Sequence, residues 1–320
     1  MKKGKVIVIG SSNTDMVVKS ERIPLPGETV IGGTFLLAPG GKGANQAVAA
    51  ARLGACVTFV AKVGTDMFGD QAVAGYQKEG IDTGFIFRDA QHATGVALIL
   101  VDAKGENMIS VASGANEYLS PADIESVEAT IANADVIVTQ LETSLDVLAC
   151  ATRLAKKHAV PLILDPAPAP VTPLPVEILR DITYIKPNKH EAERLTGIQI
   201  DNIESAHAAA EQLRGAGVRG VLITLGQGGV LLVEKSGAFC HFPSYRVEAV
   251  DTTAAGDAFS GAQAFGLASG KTLPETIELA TAVSALSVTR MGAQPSLPTM
   301  AEVQEFLLHH KISCSSQVVR

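Results

Sequence analysis

The sequence predicts an α/β fold with a mostly parallel central sheet and a small second sheet, and three observations carry that expectation. Short apolar runs alternate with Ala- and Leu-rich stretches of helical spacing, the pattern of parallel strands joined by crossover helices. Polar, chemistry-bearing residues fall just behind the carboxyl ends of those runs, which is where doubly wound sheets bind ligands. Two regions lack an intervening helix and read instead as hairpins.

Taken in order, KVIVIG (5–10) is a first buried strand. It is too short to be a signal-peptide core behind Lys2, Lys3 and Lys5, and it stops at Gly10 and Ser11. Further strands are expected at 57–64, 134–141, 161–165, 183–188 and 220–226. Helical spacing marks 45–55, 144–158, 190–197 and 205–217, mostly ending at Gly. The strand ends deliver Asp15, Glu142, Asp165 and Asn188 to one rim. Residues 16–38 and about 94–113 are the hairpin regions, the second turning at 102–107 around Gly105. They form a sheet that covers the site as a lid, a surface for a second subunit, or an extension of the main sheet's edge. Apolar strands such as ALILV (97–101) need cover in any of these arrangements. The proline-rich 165–175 sits inside the alternation, so it reads as a stiff rim loop rather than a linker.

Composition removes several function classes. A chain of 320 residues that is 47% hydrophobic can bury one large core. Net charge is −7 and the pI about 5.5, with no block of Lys and Arg, so nucleic acid is not an expected partner. No apolar run approaches the roughly 18 residues of a spanning helix, which excludes the membrane. Cys56, Cys150, Cys240 and Cys314 lie far apart and form no C-x-x-C, so they read as reduced thiols of a cytosolic protein. His158, His190, His207 and His241 lack metal-ligand spacing and read as surface residues.

The most informative motif is DTTAAGD (251–257). It sets Asp257 just behind Ala254, Ala255 and Gly256 at a helix start, where unpaired N–H groups and the helix dipole favour an anion. Read chemically, the turn holds an anion beside a carboxylate base; read structurally, Asp257 caps a helix. The glycine-rich PGGKGANQ (39–46) matches neither nucleotide fingerprint. Leu36 and Gly43 break the Walker pattern, and Gln46 stands where G-x-G-x-x-G needs its last glycine. What remains is a backbone open to close approach, with Lys42 as a cation and Asn45 as an amide, which suits a polyhydroxylated ligand or serves as a tight turn.

With GSSNTD (10–15), NKHE (188–191), TLGQGG (224–229) and MGAQPSLP (291–298) in order between and around these motifs, the chain resembles the ribokinase branch of the PfkB family of carbohydrate kinases from its first strand to residue 298. The resemblance implies a three-layer α/β/α sandwich with a β-sheet lid, spanning 1–308 with a polar tail over 309–320, and a homodimer joined through the lids. It implies transfer of the ATP γ-phosphoryl group to the 5-hydroxyl of D-ribose, or of another small sugar or nucleoside such as 2-deoxyribose. A sugar-binding regulator that lost catalysis would need neither Asp257 nor the turn before it.

Carried over by residue, the resemblance makes Asp257 the base and the amides of Ala254, Ala255 and Gly256 the anion hole. A carboxylate at a helix N-terminus is expected to have a lowered pKa. Asn13, Thr14, Asp15, Gly41, Lys42, Gly43, Ala44, Asn45 and Glu142 would surround the sugar, although Glu142 read alone is a helix cap before Thr143 and Ser144. Asn188, Thr224, Leu225, Gly226, Gln227, Gly228, Gly229, Gly256 and Thr281 would border the nucleotide. Glu191 would order waters around the Mg²⁺ of ATP, in keeping with that ion's retention of its waters. Activating K⁺ would take side chains of Asp251 and Ser296 and carbonyls of Thr253, Ser287, Arg290 and Gly292. Two positions depart from the family's common residues: Asp165 stands where Asn is usual, and Thr281 where Asn or His is usual.

Overall fold

The computed structural model describes residues 3–310 apart from Val171. Its strands are Lys5–Ile9 (β1), Asn13–Lys19 (β2), Thr34–Gly40 (β3), Cys56–Gly64 (β4), Ile86–Asp89 (β5), Gly95–Val101 (β6) and Asn107–Ala112 (β7). Then follow Val136–Thr139 (β8), Leu162–Leu164 (β9), Tyr184–Ile185 (β10), Gly220–Thr224 (β11), Val230–Val233 (β12) and Phe239–Phe242 (β13). Nine of them form one sheet in the order β13-β12-β11-β10-β9-β8-β1-β4-β5. It is parallel from β11 through β5, and β12 and β13 add an antiparallel edge.

The central strands are apolar throughout because both faces are covered. Along β1, Val6 and Val8 enter one core with Phe259 and Ile277, while Ile7 and Ile9 enter the other with Leu148, Leu154 and Leu213. Helices therefore lie on both sides, which is the three-layer α/β/α arrangement. Their starts are written locally. Ser144 caps Leu145–Lys157 by accepting from the Val147 amide. Asn202, Thr272 and Thr299 open Ile203–Gly215, Leu273–Ser287 and Met300–His309 with reciprocal capping boxes.

The hairpin regions form a separate four-stranded sheet in the order β3-β2-β6-β7, so they do not extend the main sheet's edge. Its limits differ from expectation. β2 begins at Asn13 rather than at residue 16, which puts Asn13, Thr14 and Asp15 on a strand of the small sheet, and residues 20–33 contain no strand. The second hairpin turns at Gly105, whose φ of 85° lies in the left-handed region. The last helix takes in His309, where the polar tail is expected to begin, and 311–320, with Cys314, lies outside the described residues.

Chain order reverses in space between β1 and β8, with β4 and β5 on one side and β9, β10 and β11 on the other. That switch point opens a crevice at the carboxyl ends of the strands. Beneath it, helix Lys42–Arg52 crosses helix Ala255–Ala268 so closely that a Cβ on Gly261 would lie 2.5 Å from the Ala49 Cβ and 2.7 Å from the Gln46 carbonyl. The glycine lets the two motif-bearing helices touch, and their side chains meet.

Candidate active site

Asp257 lies at the third position of helix Ala255–Ala268 and is only 5% exposed. The side-chain amides of Asn45 and Gln46 reach it from helix Lys42–Arg52, donating to Oδ2 at 2.9 Å and to Oδ1 at 3.0 Å. Its pKa is raised: burial acts most strongly, Asp165 adds to it, and Lys42 with the two amides pulls the other way. The lowering expected from the helix terminus is thus reversed, because a carboxylate this deep loses more hydration than the terminus returns. The result is a stronger base than an exposed aspartate.

The turn ahead of Asp257 is strained. Ala254 has a φ of 60°, a left-handed conformation that costs a residue with a side chain about 1–2 kcal/mol. Ala255 donates its amide to the Thr252 carbonyl at 3.2 Å, so this one of the three expected anion donors has a partner inside the turn. Asp251 anchors the turn from behind. Its Oδ1 accepts from the amide and hydroxyl of Thr253 at 2.9 and 2.6 Å, and its Oδ2 from the Gly292 amide at 2.8 Å. Burial opposes its charge, but these three donors outweigh it and hold the carboxyl below its usual range. Around it the Ser287 carbonyl accepts from the Arg290 amide and the Ser296 hydroxyl donates to the Ala293 carbonyl. Asp251 thus ties its own turn, with Thr253, to the segment that runs from Ser287 at the end of helix Leu273–Ser287 through Arg290 and Gly292 to Ser296.

On the far side of Asp257, strand alternation puts Asn13 and Asp15 on one face of β2 and Thr14 on the other. The Thr14 side chain is therefore not brought to the same place. Asp15 packs under Gly40, where a Cβ would lie 2.3 Å from its Oδ1. Its pKa is pushed up to about 6, first by burial and then by Glu142 and Asp257. Gly41, at a φ of 90°, opens the helix that follows. Behind it the amides of Gly43 and Ala44 bond to the Ser11 hydroxyl and carbonyl at 3.3 and 2.9 Å, which makes both part of the loop's own packing. Glu142 does not cap the helix that follows it, since Ser144 does. Instead it accepts from the Ser11 hydroxyl and from the Lys42 amide at 3.0 Å. For Lys42, burial works against the charge, but Asp257, Asp165, Glu142 and Glu191 overcome it and raise its pKa. Asn45 Oδ1 is buried without a partner, an acceptor left for a ligand hydroxyl.

Beyond Asp257 a cleft of about 1280 Å³ is bordered by Asn188, Glu191, the run Thr224 to Gly229, Gly256 and Thr281. All the residues expected around a nucleotide are thus brought together. Asn188 and Glu191 form a reciprocal capping box, Oδ1 of Asn188 taking the Glu191 amide and Oε2 of Glu191 taking the Asn188 amide. The pKa of Glu191 is raised, by burial and then by Asp165. Its second carboxylate oxygen and the nearby Asp165 suit a hydrated divalent cation. His241, expected on the surface, borders this cleft and bonds through Nε2 to the Gly228 carbonyl at 2.6 Å.

Residues 3–300 match the pfkB family of carbohydrate kinases. The chain belongs to the PfkB family. It is 44% identical over 302 residues to a ribokinase of Haemophilus influenzae, covering 94% of this chain and 98% of that one. It is 36% identical to a deoxyribokinase of Salmonella typhi over 94% and 98% of the two chains. A structure of Arabidopsis thaliana ribokinase complexed with ribose and ATP superposes with a TM-score of 0.87 at 32% identity, covering 95% of this chain and 99% of that one.

The motifs did not foretell part of this PfkB site. Gln46 links Asp257 to Asp165, donating to both, while its own Oε1 accepts from Gln140 at 2.7 Å. In the sequence it appears only as the residue that spoils a glycine fingerprint, although a Gln beside Asn45 on a helix otherwise rich in alanine is itself an anomaly. Lys186, an ammonium ending an apolar strand, is the other, and such residues are rarely fully buried without a partner. Of the two departures from the family's common residues, Asp165 is explained by its ion pair with Lys186 at 3.0 Å. Thr281 turns its hydroxyl back onto the Ile277 carbonyl.

Proposed function

We propose that this carbohydrate kinase phosphorylates D-ribose at its 5-hydroxyl with ATP, in the cytosol. The observation that carries the reading is the position of Asp257. It lies between a cleft large enough for a nucleotide and a group of hydroxyl-reading side chains, Asn13, Asp15 and Asn45. In this arrangement Asp15 accepts from two vicinal hydroxyls, which favours a furanose having both. Glu142 and the Lys42 ammonium sit alongside the sugar. Asp257 takes the hydroxyl proton as the new O–P bond forms, and the free amides of the 254–256 turn bind the phosphoryl oxygens. Phosphoryl transfer has a loose transition state, so such positioning and charge neutralisation matter more than base strength.

Mg²⁺ arriving with ATP would supply charge neutralisation, held through water at Glu191. Relatives include a deoxyribokinase, so the deciding experiment is an ADP-release assay over pentoses, hexoses, nucleosides and 2-deoxyribose. Ribose should be preferred, and 2-deoxyribose as the better substrate would overturn the assignment.

K⁺ would be held by Asp251, Ser296 and the carbonyls of Thr253, Ser287, Arg290 and Gly292, where it fixes the anion-binding turn without touching substrate. At constant ionic strength, millimolar K⁺ should raise the initial rate saturably over Na⁺ or Tris buffer, and Asp251→Ala should abolish the response. An Asp251→Ala enzyme that melts earlier but still responds would make Asp251 a structural residue only.

The small sheet would act as lid and as dimer surface. Register puts Met16, Val18, Phe35, Leu37, Leu98, Leu100 and Met108 on the face away from Asp15. Phe35, Leu98 and Met108 there are 58%, 54% and 58% exposed, an apolar patch that needs cover. Sedimentation should find a dimer, and Leu98→Glu with Met108→Glu should give monomers with a raised ribose KM. A monomeric parent chain would refute the interface.

A further inference from the structure

A buried ion pair borders the reaction centre without a part in the mechanism so far. Lys186 and Asp165 are each 2% exposed, with the ammonium 3.0 Å from Asp165 Oδ2. Lys186 also donates to the Gly256 carbonyl at 3.2 Å, and a Cβ added to Gly256 would lie 3.3 Å from its Nζ. The ammonium thus stands against the turn that carries the anion-binding amides and borders the same cleft as Asn188 and Asp257. Asp165 Oδ2 is further held by Gln46 Nε2 and the Ser260 hydroxyl, both at 2.9 Å, so the carboxylate is fixed from three directions.

A buried pair of this kind is seldom retained for stability, since apolar residues of similar volume do as well or better. An ammonium has three donors, and among the described residues two are used, on Asp165 and on Gly256. The third is available to an anion in the cleft. Lys42, the other ammonium close to Asp257, borders the same cleft from helix Lys42–Arg52.

We propose that Lys186 is a further catalytic residue, whose remaining N–H binds an oxygen of the transferring phosphoryl group, and that Asp165 is the positioning residue that aims it. The proposal rests on the reading that the phosphoryl group lies at the 254–256 turn. In the step itself the sugar oxygen bonds to the γ-phosphorus and the bond from phosphorus to the β–γ bridging oxygen breaks. The electron pair leaves with ADP and the hydroxyl proton passes to Asp257. Lys186 keeps its proton throughout and neutralises charge on the group in transit, as a compact point charge can.

Lys186→Met alone would strand a buried carboxylate, so the informative variant is the double one, Asp165→Asn with Lys186→Met, which removes both charges and keeps an acceptor for Gln46 and Ser260. It should melt within a few degrees of the parent. Its kcat should fall on the order of 10², the loss typical of one preorganised donor, with ribose KM within a few-fold. Affinity for a non-hydrolysable ATP analogue should drop about tenfold while that for ADP holds, and Lys186→Arg should recover most of the rate. A stable double variant with kcat within threefold of the parent, or one that loses ADP and the analogue equally, would overturn the role of Lys186. If that happened while Asp257→Asn was inactive, the active-site reading would stand without it. An Asp257→Asn enzyme of normal activity would instead remove the reading on which the proposal rests.

Discussion

Replacing Asp257 by Asn should lower kcat on the order of 10²–10⁴ while ribose binding stays within a few-fold. The reasoning is geometric. An amide at this position still offers its oxygen to Gln46 Nε2, and Asn45, whose Oδ1 has no partner, can turn its amide over to accept from the new NH2 group, so the helix crossing is kept. What it cannot do is accept the hydroxyl proton. Because burial raises the Asp257 pKa, the wild-type rate should fall on the acid side from a pH above the usual carboxylate range. Steady-state kinetics over pH for both proteins test this, and unimpaired turnover by the Asn variant would remove Asp257 as the base.

Asp15→Ala should raise the ribose KM far more than the ATP KM. Loss of a charge-assisted partner to sugar hydroxyls is worth roughly 1.5–3 kcal/mol, or about 10- to 150-fold in KM. The same carboxyl gives a pH signature. With a pKa of about 6 in the folded chain, it is ionised above that value and protonated below, so ribose KM should be about tenfold higher at pH 5 than at pH 8. Unfolding does not explain such a loss. The folded-state pKa lies above the 3.8 of a free aspartate side chain, so between these limits the folded chain holds more protons, and this group adds stability as pH falls. Equal movement of both KM values, or a ribose KM indifferent to pH, would exclude Asp15 as a reader of the sugar.

Much of the fold was legible in the sequence because local rules decide it. The central strands are apolar on both faces, the helices carry hydroxyl or amide caps, and Gly105 marks a hairpin turn; each is written within a few residues. Elements lacking a strong local pattern were missed. IFRD in β5 has no apolar run, the hairpin of β12 and β13 looks like the continuation of a glycine turn, and helices Met67–Lys78 and Leu273–Ser287 have little contrast between their faces.

The site divides in the same way. Asp257, Asn45, Asp15 and Glu191 stand out as residue types in chemical patterns, so these candidate groups can be picked from the chain alone. The tertiary structure alone decided their state. Asp257 lies more than 200 residues along the chain from the amides that hold it, and its pKa direction follows from burial, which no local window contains. Gln46, Asp165 and Lys186 become one network only when three separate segments converge beneath the switch point. A motif records which donors and acceptors a segment offers, whereas desolvation and charge coupling depend on distances between segments, and those are set when the helices pack against the sheet.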